Sequence, residues 1–408
     1  MGLGLGTSSN MLSALRHRNY RLFFAGQGLS LIGTWLQQVA MSWLVYRMTG
    51  SAMLLGVIGF TSQIPSLVLS PIAGVLADRM NRRRILIFTQ LLSMAQAFTL
   101  AVLVLAGSVA VWHIVVLSIV LGIVNAMDMP VRHSFTVEMV EDRSDLGNAI
   151  ALNSSIFNGA RLIGPALAGI LIATVGEGLC FLINGVSYLA VIAALLAMKL
   201  RPGTQVKSDG SIVEDLREGF AYAWRNGPIR AVLLLVVLVS LVGMPYTVLL
   251  PVFAGRILHG GAHTYGFLMT ASGVGAFTAA VYLAYLRETG RLCRIISYAI
   301  TTFSIGMALF AVSRSIWLSI PFLFVTGFGV ITQLAASNTI LQTVVEEDKR
   351  GRIMSLYTMA LMGMMPLGSL LAGALADRIG VTSTLLMQSA ACLAGSWLFA
   401  RRLHGGMS

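Results

Sequence analysis

Apolar runs long enough to cross a membrane recur along this chain with little between them. That pattern limits the available folds more than any motif does. A spanning helix needs about 20 predominantly apolar residues to cross a hydrocarbon layer about 30 Å thick. Six runs of that kind precede the middle, at 22–47, 53–77, 85–106, 110–130, 149–174 and 179–198. Six more follow, at 229–252, 264–286, 292–312, 316–341, 353–376 and 382–400. Strands of a membrane barrel alternate polar and apolar over about 10 residues, whereas these runs are longer and apolar all round. The expected fold is an all-α polytopic membrane protein with 12 transmembrane helices in two six-helix halves. Pro65, Pro71, Pro165, Pro245 and Pro366 lie inside the runs, and membrane helices tolerate proline.

Composition agrees, because only 11% of the 408 residues are charged and 56% are hydrophobic. A soluble domain carries about a quarter charged residues. The net charge of +12 does not point to nucleic acid, since the basic residues lie in short segments between apolar runs rather than in one patch. Cys180, Cys293 and Cys392 form no CxxC pair, so neither a metal site nor a disulfide framework is expected. Met1 to Asn10 has no positive charge and no h-region follows at once, so the first apolar segment is expected to stay and span. No P-loop, HExxH, nucleophile elbow or carboxylate pair marks an enzyme, and no cofactor is expected. His259 and His263 are separated by Gly260 and Gly261, which reads as a loop rather than a metal site.

The longest polar interval separates the halves. The expected division is 1–198 for the first half, 199–228 for a cytoplasmic linker with an amphipathic helix, and 229–408 for the second half. Within it IVEDLREGFAYAWRN places Ile212, Leu216 and Phe220 at helical spacing, behind a possible capping box of Ser211 and Glu214. A plain polar linker is the alternative. Placing the amino terminus in the cytoplasm puts 23 basic residues on that side and 4 on the other, with Arg161 left inside a helix. This positive-inside bias predicts that both termini are cytoplasmic, and the expected location is the inner membrane of a bacterial cell.

The fifth and eleventh runs resemble each other at an offset of 204 residues: Gly147, Gly164, Gly169 and Gly176 match Gly351, Gly368, Gly373 and Gly380. An internal duplication, common in secondary transporters, is the expected origin of the shared order and spacing, with chance matching in a chain of 42 glycines as the alternative.

The turn after the second run reads GVLADRMNRRR, Gly74 to Arg84. Its chemistry suits a charged latch: Asp78 can face the positive end of a helix, and Arg82, one turn on, can pair with Asp128 at the end of the fourth helix. Gly74 and Ala77 permit close backbone approach. The alternative is that the arginines, Arg83 and Arg84 above all, only enforce orientation. The stretch resembles the loop between helices two and three of the major facilitator superfamily, with Asn81 where that family has glycine, a residue that also tolerates the left-handed region. The resemblance implies the major facilitator fold and a gate stabilising the outward-facing state, formed by Gly74, Asp78, Arg79, Arg82 and Asp128. DMPVRHSFTVEMV and LGNAIALNSSIFNGARLIGPALAG resemble the branch containing the enterobactin exporter and macrolide and multidrug efflux proteins.

Arg161 lies about 18 Å into the fifth helix, twelve residues from Ala149, near the middle of the hydrocarbon core. An arginine there costs roughly 2.5–3.5 kcal/mol, so it is expected to face the bundle interior. It shares a face with Ser154, Asn158 and Pro165. Two roles stay open, binding a polar or anionic substrate and tying helices together. Helix one offers Gln27, Ser30, Thr34 and Gln37 on one face, either lining a route or hydrogen-bonding between helices. The cavity candidates are therefore Gln27, Thr34, Gln37, Asn158 and Arg161. Proton antiport is implied by the resemblance, yet no carboxylate or histidine falls near a predicted midplane. The expected function is export of small amphipathic molecules or drugs by alternating access, proton-coupled, from a monomer in the lipid bilayer. A siderophore exporter of the enterobactin type is the alternative, and a non-transporting scaffold or sensor is the rival of another class.

Overall fold

The computed structural model describes residues 12–140, 142–199, 212–285, 292–347 and 349–405, with side chains at 71–79, 143, 212–216, 284 and 402–405 not described. The described residues form helices without strands. In chain order they are α1 (Arg18–Thr49), α2 (Ala52–Arg79), α3 (Arg82–Leu105), α4 (Val111–Met139), α5 (Leu146–Val175) and α6 (Glu177–Ala197). Then come α7 (Ile212–Arg225), α8 (Gly227–Leu238), α9 (Tyr246–Val252), α10 (Ala262–Tyr285), α11 (Leu292–Val312), α12 (Ile316–Val344), α13 (Arg350–Ile379) and α14 (Val381–Gly405). A π turn, Val239–Gly243, joins α8 to α9, and a second, Phe253–Ile257, continues α9, giving one span, Gly227–Ile257.

Among the described residues eleven helices are long and apolar enough to cross a membrane. The expected count was twelve, and α1 is the difference. Its 32 residues provide the length, but Gln27, Ser30, Thr34, Gln37 and Gln38 dilute its apolar character. Asn81 does not enter the left-handed region. It lies at φ −68° and its side chain accepts from the Arg84 N–H at 3.2 Å, capping α3. Asn226 caps α8 in the same way, with Pro228 in the first turn.

The chain divides into two compact units, 1–41 with 65–207, and 42–64 with 208–408. The end of α1, the start of α2 and the helix α7 fall in the second unit. In the first unit α3 packs on α6 and α4. Tyr20, Phe23, Ile85, Leu86, Phe135, Met139 and Leu195 form a buried cluster there. The second unit is built on α10 with α12, α11 with α12, and α11 with α14.

The 204-residue repeat has a structural counterpart. Helices α5 and α13 each run 30 residues, and their first and last residues are offset by 204. Gly176 and Gly380 end them at the same φ of 85°, a left-handed conformation that favours glycine.

Candidate functional site

At the α2–α3 turn the α2 backbone is helical through Arg79. The side chains of Asp78 and Arg79, and the surroundings of Gly74, lie outside the described residues. Arg82 corrects one expectation. Its guanidinium meets Glu138 at 2.6 Å rather than Asp128. Asp128 is buried and accepts from Thr89 at 2.8 Å, from Gln90 at 2.9 Å and from Arg132 one turn along α4. Register explains the difference. The helices α3 and α4 run antiparallel, so Arg82 at the start of α3 is level with Glu138 near the end of α4. Asp128 lies ten residues back, about 15 Å along the axis, level with Thr89 and Gln90. Further along, Gln96 reaches the Leu117 carbonyl. The turn is also anchored by Arg83, which donates to the Leu196 carbonyl at 2.8 Å.

Deeper in the first unit a buried amide network joins three helices. Gln37 of α1 donates to Gln96 of α3 at 2.9 Å, and Asn184 of α6 donates to Gln37 at 2.8 Å. Ser187 donates to the Asn184 carbonyl at 2.7 Å. Both ends of the Gln37 amide are thereby engaged, which favours the tie between helices over the cavity wall as its role. Its neighbours on α1 differ. Gln27 is buried with its Oε1 atom unpartnered, and Thr34 is exposed and donates to the Ser30 carbonyl at 2.9 Å. On α5 Asn158 donates to the Ser154 carbonyl at 2.9 Å, while Arg161 is half-buried and not free of partners. Trp35 and Phe157 meet edge-on at 6.3 Å.

The second unit holds a clasp that the sequence reading did not single out. Asp377, at the end of α13, accepts from the Ser51 hydroxyl and the Ala52 N–H, each at 2.8 Å, and so caps the start of α2. Arg256 donates to the Gly50 carbonyl at 2.6 Å. Behind the cap α2 and α13 cross closely. A Cβ on Gly56 would lie 2.5 Å from the Ser369 carbonyl oxygen, and one on Gly373 would lie 2.5 Å from that of Ala52. A signal for this site was present: GVLADR at 74–79 recurs as GALADR at 373–378. Glu138 was legible only through the α3–α4 register, whereas Arg132 stands four residues from Asp128 on the same helix.

Comparison with known proteins decides what this helical assembly belongs to. The family model described as transmembrane secretion effector matches residues 9–404. The chain is a member of that family, within the major facilitator superfamily. Its sequence is 28% identical over 388 residues to the staphyloferrin A transporter of Staphylococcus aureus, covering 94% of this chain and 96% of that one. It is 26% identical to macrolide efflux protein A of Streptococcus pyogenes, with 91% and 94% covered. The crystal structure of nucleoside transporter NupG superposes with a TM-score of 0.72 at 13% identity, covering 95% of this chain and 99% of that one. At that identity it speaks for the fold alone. The protein is thus a multi-pass membrane transporter of the efflux type, acting on small molecules, and not an enzyme.

Proposed function

We propose that this family member is a secondary active exporter of small amphipathic molecules, driven by proton antiport and working by alternating access. The observation that carries the reading is the match to a macrolide efflux protein along nearly the whole chain, joined to polar groups on apolar spans. Gln27, Thr34, Asn158 and Arg161 remain the candidates for substrate contact, Gln27 because it is buried with an unpartnered oxygen. The gate assigned by resemblance comprises Gly74, Asp78, Arg79 and Arg82, with Glu138 as the partner of Arg82. Asp128 and Arg132 hold α3 and α4 beneath it. The Asp377 clasp on Ser51 and Ala52 is the corresponding closure at the other end of α2. Both termini are cytoplasmic in this reading, and the functional unit is a monomer.

A second reading is export of an anionic siderophore. It is favoured by the 28% identity to a staphyloferrin A transporter and by Arg161, a half-buried cation inside a span. A substrate screen in a strain lacking its own exporters separates the two. Reduced accumulation of macrolides and lipophilic dyes, reversed by a protonophore, supports drug export. Release of an anionic siderophore alone supports the second reading. No change in any of them contradicts both and favours a scaffold or sensor.

A further inference from the structure

The helix α7 is held against the start of α13 by Glu218–Arg352 at 2.7 Å, and Lys349 sits 4.7 Å from the Tyr222 ring centroid. Between α7, α8 and α13 lies a cleft of about 180 Å³. Its floor is apolar, formed by Ala223, Leu233, Val237, Leu356, Ala360 and Met364. Its rim carries Phe220, Trp224, Leu234 and Met359, all exposed, with Arg230 beside them. Phe220 and Trp224 are four residues apart and share a helix face, so the apolar face of α7 is only partly covered by protein. Arg230 lies 5.5 Å from the Trp224 ring and donates one hydrogen bond, to the Trp224 carbonyl at 3.3 Å. A guanidinium has five N–H donors. Among the described residues the others have no acceptor.

We infer that this cleft binds an anionic phospholipid, with one acyl chain between α7, α8 and α13 and the phosphate on Arg230. Three features select that occupant. The lining offers an acyl chain the apolar surface it needs and lacks the several converging polar groups that orient a transported solute. Leu234 and Met359, both exposed, lie on membrane-spanning helices, so the lining is within reach of an acyl chain of the bilayer. The cation stands where the chain ends and a headgroup begins, and guanidinium matches phosphate by paired hydrogen bonds. A lipid held there would fix the angle of α7 on α13.

Bromine on an acyl chain quenches a nearby indole, so Trp224 is its own reporter. The full chain is placed in phosphatidylcholine vesicles with a minor fraction of brominated phosphatidylglycerol or brominated phosphatidylcholine. The Trp224 signal is the difference between wild type and Trp224→Phe, since the chain has six tryptophans. The expected result is several-fold stronger quenching by the anionic lipid. Arg230→Gln brings the two lipids level, Arg230→Lys retains the preference, and Ala360→Phe reduces quenching by both. Equal quenching by the two lipids in the wild type overturns the proposal, as does a preference that survives Arg230→Gln. Relief of quenching by an exported dye would make the cleft a substrate site and would also overturn it.

Discussion

Asp128 shows how far a charged residue can be read before its neighbours are known. Its place at the end of a span made an arginine partner certain to be sought, and Arg82 was the motif's own candidate. The antiparallel register of α3 and α4 instead gives Glu138 to Arg82, and Asp128 takes Arg132, one turn along its own helix. Removing one member of a buried ion pair costs about 3–5 kcal/mol, while partly exposed pairs cost roughly 0–1. Arg132→Ala is therefore expected to lower the melting temperature in detergent markedly, and Glu138→Gln only slightly. Equal losses in a thermal melt would contradict this account of Asp128. Arg161 was found from depth alone, because a cation at mid-span is expensive against lipid and so is expected to face the bundle interior. As a substrate contact, Arg161→Lys is expected to weaken export of an anionic dye more than a cationic one, with the melting temperature kept. Loss of both activities together with stability would make it a structural tie. Gln37 was legible as polar but not as satisfied, since its partners Gln96 and Asn184 lie 59 and 147 residues away.

At the scale of elements, the spans were visible because burial in lipid forces runs of about 20 apolar residues. Their joins were visible in glycine, asparagine and charge. The exception is α1, whose polar residues serve contacts such as Gln37 with Gln96 and lower the signal on which length-and-hydropathy arguments rest. The π turns around α9 had no signal beyond Pro245 and Pro251. The pairing of α2 with α13 depends on glycines at 56 and 373 facing backbone, information that a linear pattern does not hold, since only Gly373 lies in a GxLADR sextet. Gly56→Val puts a side chain into the Ser369 carbonyl and forces the helices apart. It is expected to abolish export while membrane insertion persists. Asp377→Asn keeps an acceptor but loses the charge on the α2 cap, which is worth roughly 0.3–1 kcal/mol at a helix start. A several-fold fall in efflux at matched expression is expected, and unchanged efflux would remove the clasp from the transport cycle.

For the whole molecule, sequence supplied the fold class, the superfamily and the duplication, which α5 and α13 repeat in length and in their terminal glycines. Substrate identity was not legible, because an apolar cavity is specified by shape rather than by a motif. Orientation rests on the basic bias of 23 to 4. Cysteines placed at Ser208 and Gly260 are expected to be labelled from inside and outside respectively, and the reverse pattern in intact cells would invert the topology. The central claim is that this chain exports small molecules through a cycle gated at Asp78. The direct measurement is energised efflux of a preloaded amphipathic dye from cells carrying wild type, Asp78→Asn, Arg84→Ala or empty vector, each protein matched for membrane content. The account predicts rapid, protonophore-sensitive clearance by wild type, a smaller loss in Arg84→Ala, and clearance near the vector level in Asp78→Asn. Wild-type clearance no faster than the vector would contradict export, and equal rates in Asp78→Asn and Arg84→Ala would contradict the gate.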